Sequence, residues 1–88
     1  MAKATVDLVA TQVRARRTAL RLTQRDLADI AGVSERFVRF VERGKPSVQL
    51  DSLLAVLDTL GLELRIADRA SQAERSLTGQ DPAGSAAP

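Results

Sequence analysis

The side chains able to do chemistry in this chain are arginines and carboxylates. Its 88 residues include 13 basic and 11 acidic groups and no His, Cys, Trp or Tyr. Without His or Cys, neither Ser–His and Cys–His nucleophile pairs nor the usual zinc sites and disulfides can be built. Carboxylate-only catalysis survives this exclusion, but so short a chain is not expected to enclose a catalytic cleft. The composition therefore points away from an enzyme, and no cofactor or metal is expected. Eleven of the 13 cations are Arg, whose planar fork suits phosphate and guanine. Residues 1–47 carry ten basic and five acidic groups and residues 48–88 carry three and six, so the formal +2 divides into +5 and −3. A nucleic-acid face on the N-terminal half is one reading of that asymmetry, and a solvated helical surface is the other.

Four helices are needed to position these groups. Val6, Val9, Ala10, Val13 and Leu20 recur at three- and four-residue steps, predicting a helix over residues 6–20 with Arg14, Arg16, Arg17 and Arg21 on its other face. Thr23 is the expected N-cap of a second helix over residues 24–31, with Asp26 placed to bond back, Leu27, Ile30 and Ala31 turned inward and Gly32 as the stop. Ser34 caps a third helix running to about Arg43, and Gly44 and Pro46 close it. Two short helices joined by a Gly turn of this length describe a helix-turn-helix. A fourth helix starts at Ser47 or Gln49, carries Leu50, Leu53, Leu54, Leu57 and Leu60, and ends at Gly61.

After Gly61 the period changes. Leu62-Glu63-Leu64-Arg65-Ile66 alternates apolar and charged residues, which suits a half-buried strand. A lone strand leaves its backbone groups unpaired. The simplest partner is the same strand, with Leu62, Leu64 and Ile66 on its inner face, in a second copy across a two-fold axis. The alternative is that residues 62–67 extend over the helices. The expected organisation is an arm at residues 1–5, a helical domain at 6–61, a dimerisation strand at 62–67 and a tail at 68–88, flexible from about residue 71 for want of apolar surface.

The stretch L-x-Q-x-x-L-A-x-x-A-G-V-S-x-x-x-V-x-x-x-E-R-G, from Leu22 to Gly44, resembles the Xre/Cro-type helix-turn-helix family. The continuation from Glu42 to Asp51, with Leu57-Asp58-Thr59-Leu60-Gly61-Leu62, looks like the HipB-type antitoxins. The resemblance implies an all-α, lambda-repressor-like fold of four to five helices, followed by one C-terminal strand that pairs across a homodimer. It also implies that the third helix enters the major groove, where base edges are distinguishable. Ser34, Glu35, Arg36, Arg39 and Phe40 form its exposed set, and Glu35, Arg36 and Phe40 match the family's base-contacting positions. Arg36 suits a guanine, Glu35 a cytosine amine and Phe40 a thymine methyl. Glu35 equally suits the helix N-terminus, Arg39 a phosphate or solvent, and Phe37 the core. Thr23 and Gln24 at the second helix's N-terminus, with Arg43, Lys45 and Ser47 beyond the third, are the expected phosphate contacts. Arg14, Arg16, Arg21 and Arg25 are further candidates.

The family pairs the positions of Arg17 and Glu42 in a structural salt bridge. It often has Gly where this chain has Arg21, so the first turn is expected to take another form. The functional expectation is a sequence-specific repressor that binds double-stranded DNA at a palindromic operator. In the antitoxin reading it also restrains a HipA-type serine/threonine kinase and autoregulates its operon. A stand-alone phage-like regulator and an interaction module that no longer reads DNA are the alternatives. No apolar run approaches the roughly 20 residues a bilayer span needs, and the expected location is cytoplasmic and nucleoid-associated.

Overall fold

The computed structural model describes residues 3–78. Among them the order is α1 (Lys3–Ala19), α2 (Gln24–Ala31), α3 (Glu35–Glu42), α4 (Leu50–Leu60) and α5 (Gln72–Thr78). Helix α3 packs on α1 and α2, and α4 on α2 and α1. The core they enclose is aliphatic: Val13, Leu27, Ala28, Val38, Val41, Leu53, Val56, Leu57 and Leu60 are all buried, with Phe37 and Leu62 packed against them. No helix is long and apolar enough to cross a membrane among the described residues.

Local capping sets most of the boundaries. Thr23 and Asp26 form a reciprocal capping box at α2, the hydroxyl accepting from the Asp26 amide at 2.9 Å and the Asp26 carboxylate accepting from the Thr23 amide at 3.0 Å. Ser34 Oγ accepts from the Phe37 amide at 3.0 Å and starts α3. Gln49 precedes α4 without a side-chain cap bond.

The end of α1 corrects the sequence expectation for the first turn. Arg21 adopts φ +59, the left-handed conformation usually given to glycine. The bonds Leu22 N–H to Arg17 O at 3.1 Å and Arg21 N–H to Thr18 O at 2.9 Å close the same C-terminal motif that Gly44 and Gly61 close after α3 and α4. The turn keeps the glycine geometry with an arginine in it.

Other elements differ from their expected bounds or faces. Helix α1 begins at Lys3, so Lys3–Thr5 are helical rather than an arm, and a Lys3–Asp7 pair spans its first turn. Met1 and Ala2 lie outside the described residues. Leu20 falls beyond the helix and is 44% exposed. Ile30 is 64% exposed, not inward-facing, while Ala28, the residue next to Leu27, is buried. On α4, Leu50 and Leu54 are exposed and Val56 is buried, so the apolar stripe lies one position round from the leucine pattern.

Residues 62–71 form no helix or strand. A strand is defined by a ladder, and among the described residues this segment has no partner for one. Leu62 packs on the core, whereas Leu64 is 48% and Ile66 99% exposed. The tail expectation meets a short exposed helix, α5. Ser71 Oγ accepts from the Glu74 amide at 2.9 Å, and the Glu74 carboxylate accepts from the Ser71 amide at 3.4 Å, a second capping box. The rest of the expected tail, residues 79–88, lies outside the described residues.

Candidate nucleic-acid interface

Helix α3 has two unlike faces because its apolar residues fall on one side. Val38 and Val41 are buried against α1, α2 and α4, which turns Glu35 and Arg36 outward and leaves Arg39 and Phe40 half-buried. Ser34, exposed at the N-cap, spends its oxygen on the Phe37 amide but keeps its hydroxyl proton for donation. Glu35 and Arg39 join across one helical turn at 2.9 Å. The five expected base contacts run along α3 from its N-cap to its last turn, and Glu35 and Arg39 among them are tied to each other.

Arg36 has a different neighbour. Its guanidinium stands 5.0 Å from the centre of the Phe40 ring, and the Lys45 ammonium stands 4.2 Å from the same ring. Lys45 is brought back by the turn after α3, where Gly44 sits at φ +74 and the Lys45 amide donates to Phe40 O at 3.1 Å. A side chain at Gly44 is opposed twice over. Its backbone is left-handed, and a Cβ there would lie 3.1 Å from Asp7 Oδ1. Arg43 and Ser47, on either side of this turn, are exposed.

Beneath α3 lies a buried carboxylate. Glu42 is 3% exposed and accepts from Arg17 Nε at 2.6 Å, Arg17 Nη2 at 3.0 Å and Gln24 Nε2 at 3.2 Å. Arg17 also donates from Nη1 to Leu22 O at 2.9 Å. The Glu42 hydrogen bond and charge outweigh desolvation and hold the Arg17 guanidinium above its ordinary pKa. One carboxylate thus ties α1, α2 and α3 together. Gln24, expected to face a phosphate, has one end of its amide engaged here; an amide has two N–H groups, so one donor remains for an anion.

Two further arginines are likewise used inside the fold. Arg14 Nη2 donates to Glu42 O at 2.7 Å, and Arg16 Nε donates to Leu60 O at 2.9 Å. Both cap the C-terminal ends of other helices, where free carbonyls and the helix dipole favour a cation. The basic face of α1 therefore staples α3 and α4 in addition to meeting solvent. No local signal in the sequence marks these two roles. At the N-terminus of α2, the Asp26 carboxyl is held below its ordinary range by hydrogen bonds from Thr23, first the backbone amide and then the hydroxyl. The cations left without a carboxylate partner around α2 and α3 are Arg21, Arg25, Arg36, Arg43 and Lys45 among the described residues. No group of three or more His, Cys, Asp or Glu side chains there is placed to hold a metal.

This arrangement is an outward, polar helix face beside cations without carboxylate partners and a helix N-terminus, which suits a polyanion with readable edges. Residues 13–66 match the helix-turn-helix family model. The chain is also similar to an uncharacterized HTH-type transcriptional regulator, y4mF, of Sinorhizobium fredii, at 44% identity over 54 residues, covering 61% of this chain and 71% of the relative. The matched span runs from the middle of α1 through the segment after α4. The chain belongs to the Xre/Cro-type helix-turn-helix family of transcriptional regulators.

Proposed function

We propose that this regulator is a repressor that reads double-stranded DNA with α3, as a homodimer on a palindromic operator. The observation that carries the reading is Arg36: exposed at the start of α3, held over an aromatic ring and free of any carboxylate, its donor fork is available to a guanine. Ser34, Glu35, Arg39 and Phe40 complete the base-facing set. Thr23, Gln24, Arg43, Lys45 and Ser47 flank it as phosphate contacts. Support for the dimer comes from Leu64 and Ile66, two apolar side chains exposed in an extended segment whose alternation suits a strand pairing with its own copy. Two copies joined there present two reading helices, and half-sites about one helical turn apart, roughly 34–36 Å, or a multiple of that, follow.

The proposal extends to an antitoxin role toward a HipA-type serine/threonine kinase. Support for it is the resemblance over Glu42–Asp51 and Leu57–Leu62, in which the turn after α3 and the end of α4 follow the HipB pattern. Two experiments test the whole reading. Selection of duplexes from a random library by the wild-type chain is expected to return a palindrome, and no enrichment at moderate salt would overturn the DNA reading. Co-purification with the product of the adjacent gene separates an antitoxin from a solitary regulator, because only the antitoxin retains a kinase.

A further inference from the structure

The chain has two aromatic side chains, and they are used differently. Phe37 packs against the core, while Phe40, one turn from Arg36 on the outer side of α3, is half-buried with two cations over its ring. Both cations lie inside the roughly 6 Å reach of a cation–π contact. They come from different places: Arg36 from the start of α3 and Lys45 from the turn beyond its end. That turn is pinned to the same residue by the hydrogen bond from the Lys45 amide to Phe40 O. A carboxylate neighbour would consume guanidinium donors, as Glu42 does for Arg17 and Glu35 for Arg39. A ring face attracts the charge and leaves the N–H groups free.

We propose that Phe40 is a positioning residue of the reading head. Its ring holds Arg36 and Lys45 as one unit, so that the guanidinium meets a base edge while the ammonium meets the adjoining phosphate. This inference rests on the DNA reading above and deepens it. It also assigns Phe40 a role other than the expected contact with a thymine methyl, since a ring engaged by two cations has little face left for one. Ordering two long, rotamer-rich side chains before binding lowers the entropy lost on binding.

The test uses the full chain and the duplex that the wild-type chain selects. Phe40 is replaced by phenylalanines bearing one, two and three ring fluorines, which keep the shape and weaken the negative ring face. Affinity is expected to fall stepwise, reaching about three- to ten-fold with three fluorines if two exposed cation–π contacts are weakened. The series is expected to be flat in a chain carrying both Arg36→Ala and Lys45→Ala. In the free protein, the Arg36 Cδ protons are expected upfield from the ring current and normal in Phe40→Leu. A flat fluorine series in the wild-type background overturns the proposal, and sensitivity to thymine-to-uracil replacement would then assign the ring to a methyl group. Absence of the ring-current shift also overturns it. If no duplex is selected while the shift is present, the Phe40 contact stands and the DNA reading has failed, so the positioning role falls with that reading.

Discussion

Arg17 grips both oxygens of Glu42, Nε at 2.6 Å and Nη2 at 3.0 Å, across 25 positions of sequence, joining α1 to the end of α3. Glu42 is buried and Arg17 half-buried, and both are satisfied, with Gln24 donating to Glu42 and the Leu22 carbonyl accepting from Arg17. Desolvating two charges offsets much of their attraction, so such a pair contributes little net stability while the loss of either partner is severe. Arg17→Met and Glu42→Leu, made singly, are expected to cost about 3–5 kcal/mol each. The double variant is expected to be more stable than either single one. Chemical denaturation of the four chains checks this, and additive losses would contradict it.

Arg21 occupies a left-handed backbone position that costs an L-residue roughly 1–2 kcal/mol, part of which glycine would return as unfolded-chain entropy. Arg21→Gly is expected to raise stability by about 0.5–1 kcal/mol, a Tm increase of a few degrees for a domain of this size. Thermal unfolding by circular dichroism measures it. An unchanged or lower Tm would mean that the Arg21 side chain makes a compensating contact.

The Thr23–Asp26 capping box gives α2 a pH dependence. Hydrogen bonds from Thr23 lower the Asp26 pKa in the folded state. The carboxylate's contribution is therefore fully present above the ordinary carboxylate pKa and is lost as pH falls through the lowered folded value. Thr23→Ala is expected to cost about 1 kcal/mol at neutral pH, and less at acid pH, where the box is already half dismantled. Urea titrations at both pH values compare the two losses, and an equal loss at each would contradict the linkage.

These caps also show what was legible in the chain and why. Thr23, Asp26, Ser34, Gly32 and Gly61 act on neighbours within five residues, so α2, α3 and the end of α4 were readable from local chemistry. Ser71 and Glu74 carried the same signal for α5, but the scarcity of apolar residues there argued for a tail. Arg14 and Arg16 looked like surface cations because their partners, the Glu42 and Leu60 carbonyls, lie 28 and 44 residues away. The sequence does not fix the side on which Ile30 lies, because eight residues make only two turns, too few for periodicity to choose between adjacent faces. Position in the motif singles out Arg36 and Phe40. It does not show the ring shared by two cations, since that depends on a turn that returns Lys45 to Phe40.

Arg36 and Arg43 are both exposed arginines, yet they should fail in different ways. Arg36→Ala is expected to cost about 1–3 kcal/mol on the selected duplex and to relax discrimination at one base position. Arg43→Ala is expected to weaken all sequences alike and to reduce the slope of log K against log salt by about one. Competition binding with single-base variants at several salt concentrations separates them. A uniform loss for Arg36→Ala would place that side chain on a phosphate.

In the proposed dimer, Leu64 and Ile66 join the two reading heads. Both are apolar, both are exposed in one chain, and they lie two residues apart, so in a strand they share one face. Pairing that strand with its copy would cover them and satisfy the backbone groups of the segment. Leu64→Asp with Ile66→Asp places like charges on that face in both copies. Because neither side chain belongs to the core, the helical domain is expected to keep its thermal transition while sedimentation equilibrium reports a monomer. On DNA, this variant is expected to bind single half-sites and to lose the advantage of a second correctly spaced one. A variant that remains dimeric would move the two-fold contact away from residues 62–67, and one that unfolds would show that the segment is part of the core.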